Sequence, residues 1–85
     1  MRIALVQQRA SSGKPANVAA GLQALETAAA NGAHLVCYAE LAFEPFYPQH
    51  PAAPGTVDLA ETIPGRTTDA FQERAAALGV VVVLN

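Results

Sequence analysis

Glu40 is the sole carboxylate in the run Leu35-Val36-Cys37-Tyr38-Ala39-Glu40-Leu41-Ala42-Phe43. Apolar surroundings disfavour the ionised form of a carboxyl group, and a carboxylate held in such a setting is a candidate general base. The competing reading is an acidic residue that turns outward where a strand ends. A general base needs a nucleophile to activate, and Cys37 is the only thiol in the chain. In an extended strand, however, residues three apart point to opposite faces with Cα atoms roughly 10 Å apart, at about 3.3 Å per residue. Cys37 is therefore read as a small buried hydrophobe, the usual role of a free cysteine. Lys14 is the only lysine, and in the string Ser11-Ser12-Gly13-Lys14-Pro15 it is read as solvated. A phosphate loop is excluded there, because Pro15 replaces the required Ser or Thr and Gln8 occupies the first glycine position. His34 and His50 lack ligand spacing with each other or with Cys37, so no metal site is expected.

The elements that carry these residues follow from hydrophobic spacing. Residues 2–6, Arg-Ile-Ala-Leu-Val, read as a buried strand, followed by a polar loop over 7–14. Pro15 suits the first turn of a helix. Val18, Leu22, Leu25 and Ala29 then mark one helical face, and Asn31-Gly32 closes the helix, both residues tolerating the left-handed conformation. A second strand over 34–38 delivers Glu40 just beyond its carboxyl end. Between 41 and 64 lie Pro45, Pro48, Pro51, Pro54 and Pro64, a density that rules out regular helix or central strand. Loops of this length are commonly functional or disordered. Phe43, Phe46 and Tyr47 predict packing at its start, and Phe46 and Tyr47 are candidate walls of a substrate pocket beside Glu40.

Thr67 or Thr68 is expected to cap a second helix with Asp69 in its first turn, Phe71, Ala75 and Leu78 on its buried face and Gly79 at its end. Val80-Val81-Val82-Val83-Leu84 reads as a third strand covered on both faces. Right-handed crossovers put both helices of consecutive parallel units on one face when strand order runs in one direction. One sheet face is then bare, an apolar patch that marks a missing cover. A reversed order would cover each face with one helix, thinly. Both arrangements describe part of a larger fold.

At 85 residues, 52% apolar and 14% charged, the chain is too hydrophobic to be disordered. It is one domain at most. A net charge of -2 gives no electrostatic argument for a polyanion, so nucleic acid is not expected as a partner. The longest apolar runs fall far short of the roughly 18 residues of a membrane span, and the first strand is too short for a signal-peptide core. One cysteine excludes an internal disulfide and fits a reducing compartment, so a cytoplasmic location is expected. Arg66, after the Pro64-Gly65 turn, is read as solvent-exposed.

These residues in this order resemble the amino-terminal third of the carbon-nitrogen hydrolase (nitrilase) family. Residues 1–7, Met-Arg-Ile-Ala-Leu-Val-Gln, look like its opening strand, and Asn17 with the following helix like its first helix. Gly32-Ala33-His34-Leu35-Val36 followed by Ala39-Glu40-Leu41 is similar to the Gly-Ala-x-Leu-Val strand and Pro-Glu-Leu signature, with Ala39 standing where the family usually has proline. Ile63-Pro64-Gly65 through Val82 look like the second helix and third strand. The stretch from Glu40 to Gln49 is most similar to members acting on N-carbamoyl amino acids and related amides.

The resemblance implies an α/β fold, the β-α-β-α-β portion of an α-β-β-α sandwich, with residues 1–85 forming the amino-terminal part of a single domain. It implies a Glu-Lys-Cys triad hydrolysing a nonpeptide carbon-nitrogen bond, without a cofactor or metal. Glu40 matches the general base, while the family's lysine and cysteine fall beyond the matched region, so the chain by itself is expected to be inactive. The implied partners are a small amide or N-carbamoyl substrate and either a complementing carboxyl-terminal chain or further copies. A separate reading is a small stand-alone α/β module that docks a partner on its bare sheet face.

Overall fold

The computed structural model describes residues 1–11 and 13–85; Ser12, inside the predicted polar loop, lies outside them. Three short strands, β1 (Ile3–Val6), β2 (Leu35–Tyr38) and β3 (Val81–Val83), form a parallel sheet in the order β1-β2-β3. The helices α1 (Lys14–Ala30) and α2 (Arg66–Leu78) are the two crossovers. Each strand is a residue or two shorter than its predicted span, which is ordinary variation at element ends.

Strand order runs in one direction, so both crossovers lie on the same sheet face, as right-handed connections require. Ala4, Val6, Val36, Tyr38 and Val82 face the helices and are buried or half-buried. On the other face, Ile3, Leu35 and Val81 stand in one register row and Leu5, Cys37 and Val83 in the next. Ile3, Leu5, Val81 and Val83 are 57%, 78%, 59% and 45% exposed. The readings of the first strand as buried and of the third as covered on both faces are therefore corrected: β1 and β3 are covered on one face only, because both helices are spent on the other.

The helix faces need a second correction. Asn17, Gly21 and Leu25 are the buried positions of α1, with Val18 and Leu22 only half-buried. The stripe is rotated toward Gly21 because aromatic rings press there: a Cβ on Gly21 would lie 2.6 Å from Phe43 Cε1 and 3.1 Å from Phe71 Cζ. The rings of Tyr38, Phe43 and Phe71 form a triad with centroids 5.1 to 5.6 Å apart, within the range of favourable aromatic pairs. With Leu25 and Val36, both fully buried, they make the core.

The caps differ in detail from expectation. Asn31 stays at φ -88° while Gly32 takes φ +85°, so the glycine alone supplies the left-handed turn after α1. Gly65 is the N-cap residue of α2, and Thr68, three positions on, accepts a hydrogen bond from the Gly65 N–H at 2.7 Å. Gly79 ends α2 at φ +67°.

Candidate active site

Parallel strands deliver their following loops to one rim of the sheet, where α/β proteins commonly build ligand sites. At that rim β2 ends at Tyr38, and Glu40 opens the turn 40–43. Leu41 takes φ +53°, a conformation that costs an L-residue with a side chain roughly 1–2 kcal/mol. The surroundings must hold such a turn. Burial of Ala42 and Phe43 beneath it supplies part of that restraint.

Asn17, 4% exposed, supplies another. Its Oδ1 accepts from the Ser11 N–H at 2.7 Å and the Ser11 hydroxyl at 2.9 Å, and its Nδ2 donates to the carbonyls of Ser11 and Phe43, both at 2.9 Å. All four side-chain hydrogen-bonding positions are thereby used. The loop after β1 and the turn after β2 are joined through one amide. In the sequence this residue entered only through family resemblance; the signal available was the spacing of Asn17, Gly21 and Leu25, which is a helical stripe.

Glu40 itself is exposed. Its apolar sequence neighbours fold away from it: Tyr38, Ala42 and Phe43 turn into the core, and the carboxylate is left at the rim. Within this chain the apolar enclosure expected around Glu40 does not form. Cys37 lies mid-strand on the open face, beside Leu5 and Val83, rather than at the rim.

Lys14 corrects its sequence reading. Its ammonium is bridged by Glu44 at 3.2 Å and by Glu61 at closer range, so it is an ion-paired residue and not a freely solvated one. Glu61 also accepts hydrogen bonds from the Thr67 hydroxyl and, at 3.3 Å, the Thr67 N–H, placing its negative charge at the positive end of α2. Hydrogen bonding to Glu61 holds the Lys14 pKa above its ordinary value, and hydrogen bonding to Lys14 and then Thr67 holds the Glu61 carboxyl below its own. These contacts fasten the far end of the 41–64 connection to α1. The connection contains two 3-10 turns, Tyr47–Gln49 and Thr56–Leu59.

Phe43 packs as expected, but Phe46 and Tyr47 are 53% and 40% exposed. They correct the reading of a packed loop start, since the residues that bury are Ala42 and Phe43. A cleft of about 400 Å³ lies at the rim, walled by Leu41, Phe43, Ile63, Thr68 and Leu84. A larger one of about 830 Å³ runs between α1 and α2, past Lys14, Leu22, Leu59, Glu61 and Ala70. Neither is lined by Glu40, Phe46 or Tyr47. Arg66 is exposed, as read from sequence. His34 Nδ1 accepts a hydrogen bond from the Arg2 N–H at 2.9 Å. Among the described residues, no helix is long and apolar enough to cross a membrane.

A one-directional parallel sheet with both crossovers on one face, an acidic residue at the rim of its central strand and a bare second face define an α/β fold portion of the sandwich type. The family model described as carbon-nitrogen hydrolase matches residues 2–85. The chain belongs to the carbon-nitrogen hydrolase family. Comparison with curated proteins gives no significant match.

Proposed function

We propose that the chain is the amino-terminal segment of a hydrolase that cleaves nonpeptide carbon-nitrogen bonds of amides, N-carbamoyl compounds or nitriles, and that it contributes the general base Glu40. The observation that carries the reading is the position of Glu40 at the carboxyl rim of the middle strand, on a turn with a left-handed Leu41, in a chain of this family. A thiol nucleophile and a cation that stabilises the oxyanion come from residues outside this segment. Cys37 sits mid-sheet and Lys14 is engaged by two carboxylates, so neither is free for those tasks. In the mechanism for an amide, Glu40 takes the proton of the thiol and the thiolate attacks the carbonyl carbon. The C–N bond then breaks as the amine leaves with the proton returned by Glu40, and water hydrolyses the thioester to the acid and the free thiol.

The same segment by itself is then inactive. Enclosure of Glu40 and of a substrate requires a second layer over the rim and the bare face. Burying each large apolar side chain contributes about 1.5–3 kcal/mol, and Ile3, Leu5, Val81 and Val83 all await cover. An α-β-β-α sandwich meets this need with a second sheet. Phe46 and Tyr47, exposed beside the turn, become substrate contacts in that assembly, and the Glu40–Gln49 stretch favours N-carbamoyl amino acids among the candidate substrates.

The test is Glu40→Gln in the catalytically active protein containing this chain, with ammonia release from a carboxamide as readout. Loss of a general base costs about 10²–10⁴-fold in turnover; near-normal turnover would falsify the assignment. The bare face also favours a second reading, a non-catalytic module that docks a partner there. A defined, soluble complex of the 85-residue chain with no hydrolytic activity in any assembly would favour that module.

A further inference from the structure

The 40–43 turn is strained at Leu41 and is fastened to the first turn of α1 by two contacts, Lys14 with Glu44 and Asn17 with the Phe43 carbonyl. The two differ in kind. Lys14 and Glu44 meet near the surface, with side chains 30% and 14% exposed, whereas the Asn17 amide is buried and its geometry is fixed on four sides. A planar amide with both acceptor and donor sites filled cannot rotate without losing several hydrogen bonds at once. Phe43 lies three residues after Glu40, and its ring packs on Tyr38, the last residue of β2. The turn carrying Glu40 is thus bounded by a strand end on one side and by the Asn17 anchor on the other.

We propose that Asn17 is a positioning residue for Glu40, setting the direction of the carboxylate through the Phe43 carbonyl and the left-handed Leu41. The proposal rests on the reading of Glu40 as general base. Asn17 touches no reacting atom in this scheme. It fixes the backbone on which the base stands and couples that backbone to the loop after β1 through Ser11. Small displacements of a catalytic group lower turnover far more than binding, since misplacement by about 1 Å can cost about 10²-fold.

The test is a double-mutant cycle in the active protein, with a carboxamide as probe substrate and kcat and KM measured separately. Asn17→Asp keeps the acceptor toward the Ser11 N–H and hydroxyl and replaces the Nδ2 donor to the Ser11 and Phe43 carbonyls by a carboxylate oxygen. It is expected to lower kcat by about 10- to 100-fold with KM changed by less than about threefold, and to speed amide exchange in residues 40–44 while α2 and β3 keep their protection. In the Glu40→Gln background the same substitution is expected to lower kcat no further, because the group it positions is gone. An equal loss in both backgrounds makes Asn17 a general folding residue and overturns the proposal, as does full activity of Asn17→Asp. Asn17→Ala, which buries no new carboxylate, serves where Asn17→Asp fails to fold, and failure of both to fold also overturns it. Substantial turnover by Glu40→Gln alone would instead remove the base assignment, an outcome visible before Asn17 is altered.

Discussion

The hydroxyl of Tyr38 donates a hydrogen bond to the Gly21 carbonyl at 2.6 Å, joining the last residue of the central strand to the middle of α1. Both residues are buried, so the contact fixes the helix against the rim end of β2.

Tyr38→Phe removes that bond and little else. A typical intramolecular hydrogen bond contributes about 0.5–1.5 kcal/mol net, and urea denaturation is expected to show a loss of that order. Burial also pushes the Tyr38 phenol up to about 12. A raised folded pKa means that the stabilising contribution is complete below the ordinary value of 10.0 and is lost as pH rises through about 12. In a Tyr47→Phe background, ultraviolet titration is expected to show tyrosinate only in that upper range. Appearance of tyrosinate near pH 10 in the folded protein would contradict the burial argument.

Gly21→Ala sets helix propensity against packing. Alanine favours a helix interior over glycine by about 0.8–1.0 kcal/mol. The new methyl would meet the Phe43 ring at 2.6 Å, and overpacking a core costs typically 1–3 kcal/mol. Packing matches or outweighs propensity, so the variant is expected to lose up to about 2 kcal/mol in thermal or urea denaturation. A gain in stability would mean that the aromatic triad yields more readily than its spacing implies.

The Lys14 and Glu61 pair gives the 41–64 connection a defined pH window. Glu61 is held below its ordinary 4.5, so its contribution is present above that value and is lost as pH falls through the lowered pKa. Lys14 is held above its ordinary 10.5, so its contribution is present below that value and is lost as pH rises further. Both groups are partly exposed and screened, and the pair is worth at most about 1 kcal/mol. Protease nicking within residues 49–60 is expected to be slowest between about pH 5 and 10, and Glu61→Gln is expected to shrink the acid limb of the profile, leaving only the part carried by Glu44. An unchanged acid limb in that variant would show that another group fastens the connection.

Leu5 sits on the bare sheet face at 78% exposure. In the isolated chain Leu5→Glu is expected to reduce light scattering and binding of a hydrophobic dye with little change in melting. In an assembly where the face is covered, the same substitution buries an unpaired charge and is expected to be strongly destabilising, since neutralising or ionising such a group costs several kcal/mol. Equal tolerance in both settings would mean that this face stays open.

Much of the architecture was legible from local pattern. The Pro15 start and Gly32 end of α1, the Gly79 stop of α2 and the valine run of β3 each reflect an interaction within a few residues, while handedness tied a bare sheet face to a one-directional strand order that only the structure supplied. The position of Glu40 just past β2 was equally legible, because strand length fixes where a strand must end. The family, too, could be recognised in the order of these segments.

Side-chain environments required the tertiary structure. The apolar run around Glu40 sends Tyr38, Ala42 and Phe43 into the core and leaves the carboxylate exposed. Lys14 finds Glu44 and Glu61 across 30 and 47 positions of sequence, and Asn17 finds the Phe43 carbonyl across 26. Periodicity records which face of an element is apolar, an interaction each segment carries within itself. Which distant polar groups share a hydrogen bond depends on how the chain crosses over, and only packing three strands and two helices together decides it.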